Sequence, residues 1–205
     1  MGKVPEIRKL VDKYFFTSLR QVQTALSELE EGCLNEVHAA IEIMVGSIRN
    51  QGRILICGNG GSASDSQHFA GELVATFSKE VRRPAISAIA LPNDIATITA
   101  YANDFSYLDV FSRQVEAHGR RGDTLLCIST SGSSTNVLNA ATQARRQGLS
   151  VVSISGCSSR KLSELSDVAI VIRSTETPIV QNVYQFLIHT ICFGIENAMG
   201  VSHLE

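Results

Sequence analysis

Five short apolar runs, at 53–57, 86–91, 124–129, 150–155 and 167–172, recur along the chain, and several are rich in isoleucine and valine. Between them lie stretches with helical pattern or length, at 62–77, 94–101, 108–118, 135–147 and 160–165. Strands alternating with helices specify a parallel sheet, because a parallel neighbour is reached only through a crossover. The pattern predicts an α/β fold: a doubly wound, five-stranded parallel sheet with helices on both faces. Two N-terminal helices come first. One carries Ile7, Leu10, Val11, Tyr14, Phe15, Leu19, Val22, Leu26 and Leu29 at helical spacing over 5–31. After Gly32, a second carries Leu34, Val37, Ile41, Met44, Val45 and Ile48 and ends before Gly52. A last helix, apolar nearly all round, is expected from about Pro178 to Met199.

The 205 residues suit one domain with a full core, arranged as an N-terminal helical hairpin (1–50) and an α/β core (51–205). A net charge of -2 argues against a nucleic-acid or general membrane-surface partner. No apolar run is long enough to span a bilayer, and the polar start, Met1 to Lys13, does not read as a signal peptide, so a cytoplasmic protein is expected. The odd, scattered cysteines (Cys33, Cys57, Cys127, Cys157, Cys192) read as reduced thiols rather than a disulfide framework.

In a doubly wound sheet, ligands bind beyond the carboxyl ends of the strands. Two unusual loops fall there. The first, Gly58-Asn59-Gly60-Gly61-Ser62, opens a helix and presents backbone N–H groups to an anion. It is a weak match to a dinucleotide fingerprint, because no acidic residue directly follows the second strand, and it has no GK[ST] of a P-loop. The second, Ser129-Thr130-Ser131-Gly132-Ser133-Ser134, also runs into a helix and is crowded with hydroxyls. One hydroxyl suffices for a helix cap, so the excess points to a neutral phosphate site.

His68 and Glu72 are four residues apart and share one helical face. Apolar Phe69, Ala70, Leu73 and Val74 flank Glu72, so its carboxylate is expected in a partly dry place suited to a general base. Asn103 and Asp104 read as a loop between two short helices. His189 lies among Phe186, Leu187, Ile188 and Ile191, and alone would read as a core histidine.

These residues together resemble the sugar isomerase (SIS) domain family, and within it the phosphoheptose isomerases. Four segments carry the likeness: Gly58–Ser62 with Gln67-His68-Phe69-Ala70 and Glu72; Ala102-Asn103-Asp104 with Val110–Val115; Ile128-Ser129-Thr130-Ser131-Gly132; and Gln181 with His189. The resemblance implies a flavodoxin-like sheet and a homotetramer with active sites between subunits. It implies isomerisation of sedoheptulose 7-phosphate to D-glycero-D-manno-heptose 7-phosphate through an enediol. By matching positions, Ser129, Thr130, Ser131 and Ser134 hold the phosphate, while Asn59, Gly60, Gly61, Asn103 and Asp104 line the sugar. Glu72 acts as base and His189 as acid, and His68, Glu72, Gln181 and His189 are the positions for one zinc ion per subunit.

Helical residues eight apart are separated by about 12 Å, so Gln181 and His189 of one straight helix cannot easily share a metal. Either Gln181 precedes the regular helix or one of the two comes from another subunit; the second is expected. The first helix, about 37 Å long if it has 25 residues, is expected to pack partly on another subunit. Thr76 stands where such isomerases often carry arginine, and Lys79, Arg82 and Arg83 mark a divergent stretch, which leaves lipopolysaccharide, capsule and antibiotic-type sugar pathways open. The family also includes a non-catalytic regulator that binds the replication initiator protein. That regulator lacks the matching Glu and second His, both present here.

Overall fold

The structure, a computed structural model, describes residues 4–200. Helix α1 (Val4–Gly32) turns at Cys33 into α2 (Leu34–Arg49). The core then alternates: β1 (Ile54–Cys57), α3 (Gly61–Val74), β2 (Ala88–Ala90), α4 (Ile95–Asp104), α5 (Val110–His118), β3 (Thr124–Ser129), α6 (Thr135–Gln147), β4 (Ser150–Gly156), α7 (Lys161–Leu165), β5 (Val168–Ile172) and α8 (Thr177–Met199). All strand pairs are parallel, in the order β2-β1-β3-β4-β5. This is the flavodoxin-like order, whose switch point lies between β1 and β3.

Side chains alternate across each strand and sort into two cores. Ile54, Ile56, Leu126, Ile128, Val152 and Ile154 face α2, α3 and α8 through Met44, Phe69, Leu73, Tyr184 and Ile188. Leu55, Leu125, Cys127 and Val151 face α5, α6 and α7 through Phe111, Val115, Val137, Ala141 and Leu162. Both sheet faces are covered, which is why the strands read as near-continuous apolar runs. Cys57 and Cys127 are register partners with sulfurs 3.8 Å apart, and all five cysteines are unpaired.

Three expectations shift in detail. The second strand is shorter than the 86–91 run: Ile86 N–H bonds to Leu73 O instead of a strand partner. Helix α3 ends at Val74, before the expected 77, because the carboxylate of Glu196 captures the backbone that follows. Helix α4 runs on to Asp104, so Asn103 and Asp104 end a helix rather than lie in a loop. Among the described residues no helix is long and apolar enough to cross a membrane.

Candidate active site

The switch point brings the two unusual loops side by side. Gly58 follows β1 at a spot where a side chain cannot fit: a Cβ there would stand 2.9 Å from the Ile128 carbonyl and 2.7 Å from that of Ser62. The loops are then tied together by an amide pair. Asn59 Nδ2 donates to Asn136 Oδ1 at 2.8 Å, and Asn136 Nδ2 donates to Asn59 Oδ1 at 2.9 Å. Tyr107 hydroxyl also donates to Asn59 Oδ1. The Asn59 side chain, expected at the sugar, therefore joins the loops.

The serine loop bears on its two readings. Ser134 occupies the N-cap of α6, yet its hydroxyl makes no capping bond. Ser129 Oγ accepts from Gly132 N–H, and Ser131 Oγ accepts from Ser133 N–H. The hydroxyls thus shape the loop while the first turn of α6 lacks a side-chain cap, as an anion cradle requires.

Helices α3 and α8 lie side by side with matching direction. Gly61 meets Gln181 at the loop end, and a side chain at Gly61 would collide with the Gln181 amide. One turn on, Gln185 meets Asp65 and His68. Farther on, His68, Glu72 and His189 converge: their donor atoms lie within 4.8 Å of one another. His68 Nε2 is 3.0 Å from Glu72 Oε1, and the two histidine rings stand edge to face with centroids 5.1 Å apart. His189 is exposed rather than buried in the core. Its neighbours Leu187, Ile188 and Ile191 are buried and Phe186 is exposed, while the His189 ring faces His68 on α3.

Two nitrogens and a carboxylate oxygen form a donor set suited to zinc, and their mutual distances allow one ion to be shared. Gln181 does not join them. It sits inside α8, not before it, and eight residues of helix place it about 12 Å from His189. The same spacing divides the subunit's site. The loops and Gln181 form one group; His68, Glu72 and His189 form another, with Glu72 about 16 Å of helix beyond Gly61. Asn103 and Asp104 are exposed, and among the described residues their side chains hydrogen-bond only to each other.

Gln185, Asp65, Asn136 and Glu196 also form side-chain contacts here but stand in no sequence pattern of their own. Asp65 and Gln185 carry no motif; their signal is a place one turn before His68 and one turn before His189, which gains meaning only when the helices pair. Glu196 is fully buried at the far end of α8 and takes N–H bonds from Phe77 and Ser78, a hydroxyl bond from Thr76 and an ion pair from Arg83. Burial alone would raise its carboxyl, but those donors outweigh burial and hold it below the ordinary range.

Comparison with known proteins agrees with this architecture. A family model described as "SIS domain" matches residues 16–156. A phosphoheptose isomerase of Helicobacter pylori is 44% identical over 190 residues, covering 93% of this chain and 96% of the relative. One from Aromatoleum aromaticum is 44% identical over 172 residues, covering 82% and 86%. The solved phosphoheptose isomerase of Neisseria gonorrhoeae superposes with a TM-score of 0.82 at 35% identity, covering 93% of this chain and 99% of that one. With its sheet order, its two switch-point loops and these relatives, the chain belongs to the SIS domain family and, within it, to the phosphoheptose isomerases.

Proposed function

We propose that the protein interconverts sedoheptulose 7-phosphate and D-glycero-D-manno-heptose 7-phosphate. The observation that carries this reading is the convergence of Glu72 with His68 and His189 in a molecule whose switch point presents an uncapped, hydroxyl-rich helix start. Ser129, Thr130, Ser131 and Ser134 hold the phosphate with hydroxyls and backbone N–H groups. Gly60, Gly61 and Gln181 lie against the sugar, with Asn59 holding the loops in place and Asn103 and Asp104 closing over the chain from α4.

In the ketose-to-aldose direction, Glu72 carboxylate takes a proton from C1. His189 gives a proton to the C2 oxygen, and the enediol forms. His189 then takes the proton from the C1 oxygen while Glu72 returns its proton to C2, so nothing is gained or lost overall. Glu72 is half-buried, which limits exchange of the carried proton with water. Zinc held by His68, Glu72 and His189 would supply Lewis-acid polarisation of the carbonyl or order the site.

The active site is shared between subunits of a homotetramer in a cytoplasmic enzyme of heptose precursor synthesis for lipopolysaccharide or capsule. Two observations support the sharing. The loop group and the His68–Glu72–His189 group stand apart within one subunit, so Gln181 and the phosphate loop of one subunit pair with the catalytic group of another. Among the described residues nothing covers the first half of helix α1: Ile7, Leu10, Val11, Tyr14, Phe15 and Phe16 are all more than half exposed. An apolar stripe of this kind needs cover, and a groove lined by Leu26, Leu29, Leu34, Val37 and Phe186 lies near the α1–α2 turn.

The deciding assay incubates the protein with sedoheptulose 7-phosphate, with and without zinc, beside Glu72→Gln. The wild type is expected to form the aldose and the variant to be nearly inert. Equal inertness would favour a binding protein; equal activity would remove Glu72 from the chemistry.

A further inference from the structure

Gln185 bridges two side chains of α3 that share no hydrogen bond with each other. Its Nε2 donates to Asp65 Oδ1 at 2.6 Å, and its Oε1 stands 3.0 Å from His68 Nδ1. A carboxylate oxygen only accepts, so Asp65 obliges Gln185 to turn its NH2 group that way. The amide oxygen then faces His68. That oxygen also only accepts, so the hydrogen between them must be carried by His68 Nδ1. The neutral ring is left with a lone pair on Nε2, aimed at Glu72 Oε1 3.0 Å away. Two lone pairs at that distance repel unless a proton or a cation lies between them.

We infer that Asp65 and Gln185 are positioning residues that hold His68 in its Nδ1–H tautomer, so that Nε2 is kept as a ligand for the cation shared with Glu72 and His189. The second partner of a ligating histidine commonly fixes its ring and its tautomer in this way. Here the control is relayed through an amide from a second helix. The arrangement also explains a costly feature. Asp65 is 7% exposed, and its Oδ2 is buried with no partner among the described residues. Burying a carboxylate so incompletely satisfied is unfavourable, and among the described residues no side-chain hydrogen bond joins Asp65 or Gln185 to the phosphate loop. Its hold on Gln185 gives it a purpose.

The consequence for zinc rests on the metal reading above, whereas the tautomer does not. Two-bond 1H–15N correlation spectra of the metal-free, 15N-labelled protein, with His68 assigned by comparison with His68→Asn, read the tautomer directly. Nδ1 is expected to be protonated; a bare Nδ1 with hydrogen on Nε2 overturns the inference. Gln185→Leu is expected to bind zinc roughly 10- to 100-fold more weakly, measured by competition with a chelating dye. The double variant Asp65→Asn with Gln185→Glu reverses the two groups and restores the pattern. The amide introduced on α3 donates to the carboxylate introduced on α8, which still accepts from His68, and most of the lost affinity is expected to return. Zinc affinity of Gln185→Leu within twofold of wild type overturns the inference. A wild type that binds no zinc overturns the metal reading instead, and the tautomer then decides this one.

Discussion

Arg83 Nε stands 3.0 Å from Glu196 Oε1, and both side chains are almost wholly removed from water. Arg83 also donates to the carbonyls of Glu72 and Leu73, the last turn of α3. One ion pair thus fastens the end of α3 to the end of α8. Removing one partner leaves a buried charge, which costs about 3–5 kcal/mol. We expect Glu196→Gln to lower the melting temperature by roughly 10 °C. A shift of a degree or two, measured by circular dichroism, would mean that the clamp is dispensable.

The same carboxylate makes stability depend on pH. Its folded value lies below that of a free glutamate, about 4.3. Its contribution is therefore fully present above the unfolded value and is lost as pH falls through the folded one. Urea midpoints measured between pH 7 and pH 3 should fall more steeply for the wild type than for Glu196→Gln. Parallel curves would contradict this account.

Ser134→Ala separates a phosphate site from a helix cap. The hydroxyl makes no capping bond, so the loss of about 1 kcal/mol usual for an N-cap residue is not expected. A lost hydrogen bond to a charged group is worth about 1.5–3 kcal/mol. Stability should hold while kcat/KM falls roughly 10- to 100-fold, mainly through KM. The reverse pattern would restore the capping reading.

Gly61→Ala places a methyl group against the Gln181 amide. Overpacking of this kind costs about 1–3 kcal/mol, and Gln181 has to move. Activity should drop more than stability. Unchanged kinetics would show that Gln181 does not act at the site.

Leu10→Asp combined with Phe15→Asp changes two residues that are 66% and 58% exposed in the subunit. The fold of the subunit should survive, and sedimentation velocity should show smaller species. If Gln181 reaches its metal across a subunit boundary, zinc and activity disappear together. Zinc retained by a verified monomer would exclude the shared site.

Much of the site was legible because it is local. The glycine loop, the serine loop and the His68–Glu72 face each occupy one continuous segment, and a helix start or a four-residue spacing carries its meaning without the rest of the chain. His189 was harder. Its neighbours Leu187, Ile188 and Ile191 are buried, so the sequence around it reads as core, and only the pairing of α8 with α3 turns its ring toward His68. The amide pair of Asn59 with Asn136 has no local signature either, because its partners stand 77 positions apart.

Residue patterning alone specifies the class of fold, the strands and the loops at their carboxyl ends. Alternating apolar runs and helical stretches leave few ways to bury both faces of a sheet. Which side chains meet was settled by packing. It set α3 alongside α8 and so joined Asp65, Gln185 and His68, and it brought Gln181 against Gly61. It also sank Glu196 beneath the end of α3. Such contacts depend on the relative placement of two helices about 120 residues apart, which is fixed by packing against a shared sheet and has no signature in either helix alone.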